Sequence, residues 1–186
     1  MQRINQDNLD EKFLASKVGF TGKLLTVRVD TVLLPNGVAA TREVIHHPGA
    51  VCILPVLDNG DIIFVKQFRY PVQSVMYELP AGKLDAGEKP EQCAARELSE
   101  ETGFRAGTLE KLTSIVTTPG FTDEVIHLYV ASELTKFQQH TDADEFIEIV
   151  TLTPAQVEHM LWTEEIFDAK TLSALYLYLL KRKKSK

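Results

Sequence analysis

Between Gly82 and Phe104 the chain reads GKLDAGEKPEQCAARELSEETGF, with Glu97, Glu100 and Glu101 crowded beside Arg96. Pro90 suits a first helical turn and Gly103 the residue just past a C-terminus, so the spacing predicts a helix over about Pro90 to Thr102. At about a hundred degrees per residue, the three glutamates share one side, while Ala94, Ala95 and Leu98 share an adjacent apolar side. Like charges three and four residues apart cost a helix a few tenths of a kcal/mol, roughly 0.2–0.5 per pair. A solvated structural helix would alternate its signs instead. The crowding makes sense around a divalent cation, because hard Mg²⁺ takes oxygen ligands from a few carboxylates together with substrate phosphate. Arg96 can orient a carboxylate through paired hydrogen bonds, and Glu88, arriving from the preceding loop, is the candidate.

The rest of the chain sets the frame for that chemistry. At 186 residues, with 44% hydrophobic and 25% charged residues, it suits one globular domain with a small appendage. A formal charge of −6 argues against nucleic-acid binding, so an anionic substrate needs metal ions or a few placed arginines. Cys52 and Cys93 lack the spacing of a zinc site or a disulfide framework and fit buried thiols in a reduced compartment. The opening MQRINQDNLDEKF has no apolar core of a signal peptide, and the apolar runs VCILPVL and ALYLYLL are too short to span a bilayer. The expectation is a cytoplasmic protein without membrane or nucleic-acid partners.

Several elements must position the glutamates. Lys23 to Leu34 reads as a strand, PNG at Pro35 to Gly37 turns it into a second near Ala39 to His47, and the continuous apolar run from Ala50 reads as a strand buried on both faces. DNG at Asp58 to Gly60 leads into DIIFVKQFRY, expected as the antiparallel partner of that buried strand. Thr108 to Val116, Val125 to Ala131 and Phe146 to Thr151 read as further strands; Pro154 to Leu161 and Asp168 to Arg182 read as helices, the second with Asp168 at its N-cap. This order predicts an α+β domain, layered αβα around a mixed sheet. Residues 1–45 are expected as an N-terminal arm and small β-rich sheet offering dimer contacts, and 46–186 as the main domain.

Gly82, Glu88, Arg96, Glu97, Leu98, Glu100, Glu101, Gly103 and Phe104 occupy every fixed position of the pattern G-x5-E-x7-R-E-U-x-E-E-x-G-U, where U is apolar. With ordinary residue frequencies the non-apolar identities coincide with probability on the order of 10⁻⁸ per starting position. In this the chain resembles the Nudix hydrolases, which cleave nucleoside diphosphates linked to another moiety using Mg²⁺ or Mn²⁺. The resemblance implies the Nudix fold, with Glu97 and Glu101 as chief metal ligands, Glu100 assisting, the Ala81 carbonyl as a further ligand, and Glu88 and Arg96 holding loop and helix together. Such ions would let an acidic protein bind a pyrophosphate.

Outside the box, QFRYPV from Gln67, ELPAGKLDAGE from Glu78, TTPGFTDE with Pro119 fifteen residues beyond Phe104, TREVIHHPGAV and the late FDAKT resemble the ADP-ribose pyrophosphatase branch, from about Gly19 onward. On that resemblance ADP-ribose and water give AMP and ribose 5-phosphate, and a homodimer partner contributes to the pocket. Arg42 and Arg69 match substrate-contacting arginines, as guanidinium forks suit phosphate and ribose oxygens; a solvated strand arginine is the competing account of each. Glu78 and Pro119 are further substrate-side candidates, Glu78 competing with an ordinary exposed carboxylate. A general base is implied on the late loop TDADEFIEIV, where Asp142, Asp144, Glu145 and Glu148 are all available and Glu145 is chosen for the FI that follows it. The competing functions are a pyrophosphatase for another ADP- or GDP-sugar or a dinucleotide, and a binding module that holds ADP-ribose uncleaved. Intact glutamates argue against the second.

Overall fold

The apolar run from Ala50 forms strand β4 (Ala50–Pro55), and all six of its residues are buried, as a strand covered on both faces must be. The computed structural model describes residues 9–23, 25–140 and 146–184. β4 lies inside a four-stranded sheet, between β7 (Ala81–Lys83), antiparallel to it, and β9 (Val125–Lys136), parallel to it; β8 (Phe104–Val116) closes the far edge. The sheet is therefore mixed. Alternation along β4 sends Val51 and Ile53 to one face, where they meet Cys93, Ala94 and Leu98 of helix α1 (Pro90–Thr102) together with Tyr129 and Ala131. Cys52 and Leu54 point the other way, into a core with Leu128, with Val157 and Met160 of α2 (Pro154–Trp162) and with Ala174 and Leu175 of α3 (Ala169–Lys184). Helices thus cover both faces, the layered arrangement expected. Burying one such Leu is worth about 1.5–3 kcal/mol, so the two cores anchor α1 and α3 independently of any ligand.

One expectation is corrected. β5 (Ile62–Arg69) does not pair with β4 but lies between β6 (Ser74–Glu78) and β10 (Ile147–Leu152) in a second, antiparallel sheet. Both edges of β4 are already taken by β7 and β9, and the Asp58–Gly60 turn leaves only the single bridge Val56↔Ile62 between the two runs. A tight turn between apolar segments signals a reversal, not a shared sheet. The short strands β6 and β7, which flank Leu79-Pro80, carry too few residues for periodicity to find.

A separate compact unit gathers the N-terminal strands with residues 118–124. β1 (Lys12–Thr21), β2 (Thr26–Leu33) and β3 (Ala39–Ile45) form an antiparallel sheet in chain order. The turn between β2 and β3 is closed by Asn36 Oδ1 accepting from the Val38 N–H at 3.0 Å, with Gly37 at φ 81°. Residues 118–124 join this unit because Asp123 accepts from His47 N–H at 2.8 Å and pairs with His46 Nδ1 at 2.7 Å. Nothing local in the sequence announces that union, since its partners are some seventy-six residues apart.

Candidate active site

The glutamate helix begins at Pro90 and ends at Gly103, whose φ of 69° is a left-handed C-terminal residue. Before it, Asp85 N–H donates to Glu88 Oε2 at 3.0 Å and Glu88 N–H donates to the Asp85 carbonyl at 3.0 Å, folding the loop back over the helix. Arg96 then clamps it: Nε and Nη2 each donate to a different oxygen of Glu88 at 3.0 Å. Its Nη1 donates to Glu97 at 2.7 Å and Glu100 at 2.9 Å, and Nη2 reaches the Lys83 carbonyl at 3.3 Å. The Arg96 hydrogen bonds lower the Glu88 carboxyl to about 2, and the same bonds, Glu88's foremost, raise Arg96 further above its ordinary value. One guanidinium therefore holds all three carboxylates.

Glu101, one turn beyond Glu97 on the same side of the helix, is buried, its Oε2 accepting from the Ala81 N–H at 3.1 Å. Glu97 rests on Gly82: a Cβ built there would lie 1.8 Å from Glu97 Oε1. β7 and α1 are thus fitted to each other through two carboxylates, one on the backbone amide of Ala81 and one on the bare Cα of Gly82. Beyond the helix, Gln139 Nε2 donates to the Glu101 carbonyl at 2.7 Å and His140 N–H to the Glu100 carbonyl at 3.1 Å, satisfying C-terminal acceptors that a helix cannot satisfy itself. Cys93 lies buried under this site with its thiol pushed up to about 12, first by burial and then by Glu88, so it is inert.

A second polar cluster lies on the same unit. Arg69 donates from Nε and Nη2 to the two oxygens of Glu78, at 2.7 and 2.9 Å, and Glu78 is only 2% exposed. Lys170 also donates to Glu78 and, at 2.9 Å, to Asp168. Asp168 accepts from Thr171 N–H at 3.0 Å, the N-cap expected of it. Thr171 Oγ1 in turn accepts from the Leu79 N–H at 2.9 Å. Burial alone would raise the Glu78 carboxyl; Arg69 and Lys170 outweigh it and hold the carboxyl below its ordinary value.

Glu88, Arg96, Glu97, Glu100, Glu101 and Ala81 are therefore brought together. Arg69 and Glu78 pair with each other. Arg42 belongs to the N-terminal unit, where all three of its guanidinium nitrogens are engaged, two by Glu11 and one by the Thr41 carbonyl. Pro119 is an exposed turn residue of that unit. Asp142, Asp144 and Glu145 lie outside the described residues, while Glu148 pairs with Lys66 at 2.8 Å. Among the described residues no three acidic, histidine or cysteine side chains converge in a ready cation cage; Arg96 occupies two of the carboxylates instead. Lys170, Thr171 and Gln139 were not singled out from sequence, although the FDAKT motif contains the first two.

Residues 46–175 match the NUDIX domain and residues 11–45 the nucleoside diphosphate sugar hydrolase N-terminal domain. The chain is 46% identical to the ADP-ribose pyrophosphatase of Bacillus subtilis (strain 168), covering 92% of this chain and 95% of that one. It is 41% identical to a methanol dehydrogenase activator of Bacillus methanolicus, over 91% of this chain and 94% of the relative. A crystal structure of an ADP compounds hydrolase superposes with a TM-score of 0.86 at 25% identity, covering 94% of this chain and 95% of the other. With its Glu-Arg clamp, its glutamate helix and a domain match over most of its length, the chain belongs to the Nudix family.

Proposed function

We propose that this chain is a divalent-metal-dependent pyrophosphatase that hydrolyses ADP-ribose to AMP and ribose 5-phosphate. The single observation that carries the reaction class is the set of carboxylates fitted to β7, with Glu97 on Gly82 and Glu101 on the Ala81 amide. The substrate rests on the 46% identity, over nearly the whole chain, to a relative named ADP-ribose pyrophosphatase. The Bacillus methanolicus relative is named for its effect on another enzyme, so it does not choose among nucleotides.

The donor set fits a hard cation: carboxylate oxygens from Glu97, Glu101 and Glu100 and a carbonyl from Ala81, the nearby Cys93 thiol being buried and kept neutral. Glu97 and Glu101 would hold Mg²⁺, or Mn²⁺ in its place, with Glu100 assisting. The chemistry such an ion supplies is charge neutralisation at the pyrophosphate and a lowered pKa for the attacking water. Arg96 would release Glu97 and Glu100 to it while keeping its paired bonds to Glu88, so that the loop stays clamped. Arg69 and Arg42 would bind the anionic substrate, with Pro119 shaping the substrate side. Glu145 would take the water's proton, with Asp142, Asp144 and Glu148 as the competing acids of that loop.

A homodimer fits the N-terminal unit. All ten residues of β1 are exposed, Phe13, Leu14, Val18 and Phe20 among them, on a strand that among the described residues is paired along one edge only. Such an edge calls for a cover.

Turnover of ADP-ribose against ADP-glucose, GDP-mannose, NADH and diadenosine tetraphosphate, with and without Mg²⁺, tests the reading. Mg²⁺-dependent release of AMP, fastest from ADP-ribose, is expected. Activity on another member alone would keep the chemistry and replace the substrate. Tight ADP-ribose binding with no turnover anywhere would make the chain a binding module.

A further inference from the structure

Glu78 is buried, yet it belongs to a balanced set of charges, with Arg69 and Lys170 against Glu78 and Asp168. The four do not play equal parts. Arg69 keeps a 43% exposed side chain and, among the described residues, gives only Nε and Nη2 to Glu78, so Nη1 is uncommitted. Lys170, by contrast, is 12% exposed and is spent on Glu78 and Asp168. A two-point fork of this kind fixes the plane of a guanidinium, which is what bidentate or directed anion binding needs. A carboxylate that serves as the anvil for that fork must itself be immobile and ionised.

We infer that Lys170, braced by Asp168, is a positioning residue that sets Glu78 and through it aims Arg69 at the anionic substrate. The bracing is visible in the chain's own connections. Asp168 caps α3 by accepting from Thr171 N–H, and Thr171 Oγ1 accepts from Leu79 N–H, so the helix terminus is bolted to the residue that follows Glu78. Lys170 thus reaches Glu78 from a framework already tied to that strand end. Its donation to the same Oε2 that Arg69 Nη2 uses leaves the carboxylate no freedom to rotate. Glu78, expected from sequence to touch substrate, acts instead through Arg69.

The inference rests on the proposed activity, and a double-mutant cycle separates the two. Wild type, Lys170→Met, Arg69→Ala and the double variant are compared for kcat and KM on ADP-ribose, with thermal melting alongside. Lys170→Met is expected to raise KM about tenfold or more while kcat stays within about threefold, and to add nothing to KM once Arg69 is Ala. A purely structural salt bridge would lower the melting temperature without moving KM. An unchanged KM, or an effect that persists in the Arg69→Ala background, overturns the inference. Should Lys170→Met fail to fold, Lys170→Gln, which keeps a donor without the charge, carries the same cycle. If wild type turns over another nucleotide sugar and not ADP-ribose, only the substrate reading falls and the cycle is read on that sugar. If nothing is turned over, solvent exchange of the Arg69 Nε–H by NMR decides: unaltered exchange in Lys170→Met overturns the mount, and faster exchange upholds it.

Discussion

The Glu97 carboxylate occupies the space where a side chain on Gly82 would stand, with an added Cβ only 1.8 Å from Glu97 Oε1 and 1.9 Å from its Cδ. The backbone at Gly82 is ordinary strand, not left-handed, so alanine there meets no torsional objection. All of its cost falls on Glu97. Gly82→Ala is therefore expected to leave the fold intact and to cut turnover by roughly a hundredfold or more, the scale of a misplaced reacting group. Steady-state kinetics and a thermal melt on the same sample check it. Near-normal kcat would mean that Glu97 has no fixed part in the chemistry.

Replacing a proposed metal carboxylate directly should cost more. Glu97→Gln and Glu101→Gln keep the shape of the side chain, and Glu101 can still accept from the Ala81 N–H through its amide oxygen. Both are expected to lose several orders of magnitude in kcat. Calorimetric titration with Mn²⁺ in the absence of substrate gives a second reading, and weaker binding is expected for each. Wild-type Mn²⁺ affinity in both variants would remove them from the metal site.

The root of the late acidic loop should matter to stability before chemistry. Gln139 caps the Glu101 carbonyl, so Gln139→Ala is expected to destabilise the protein by about 1 kcal/mol, the worth of a typical net hydrogen bond. Denaturant unfolding checks the value. Gln139→Glu, which loses the donor and sets a negative charge against the helix C-terminus, should be worse.

On the late loop itself, Glu145→Gln is expected to cut kcat strongly while Asp144→Asn is mild. The reverse pattern would move the general base by one residue. The pH–rate profile adds a check, since loss of the base should abolish the limb that rises with pH.

Much of this was legible in the sequence because the chemistry is local. The helix over Pro90 to Thr102 was bounded to the residue by Pro90 and Gly103, and its glutamates and Arg96 lie within two turns of each other. The buried β4 was plain from its unbroken apolar run. What escaped depends on long-range pairing. β4 and β5 follow each other through a tight turn yet join different sheets, because β9, seventy-odd residues later, takes the β4 edge. Lys170 meets Glu78 across ninety-two residues, and nothing in the spelling of FDAKT says which carboxylate it serves. Arg42 reads from sequence as a substrate-side or solvated arginine and is engaged by Glu11, which directly precedes a strand too exposed to show alternation.

The Glu88–Arg96 clamp makes a prediction that needs no substrate. Glu88 titrates at about 2 in the folded protein against an ordinary 4.5, chiefly through its bonds to Arg96. A depressed carboxyl adds stability that is fully present above its unfolded pKa and is lost as pH falls through the folded one, so the relevant window runs from about 4.5 down to about 2. Both partners keep some exposure, at 14% and 30%, so solvent screening limits what the pair contributes. Glu88→Gln removes the titration while keeping a carbonyl acceptor for Arg96. The variant should be less stable at neutral pH, and the gap to wild type should close as the pH is lowered through that window. Urea unfolding at a series of pH values measures the difference directly. A gap that stays constant across the window would show that Glu88 contributes through shape and not through its charge, and the charge that holds Arg96 would then come from Glu97 and Glu100.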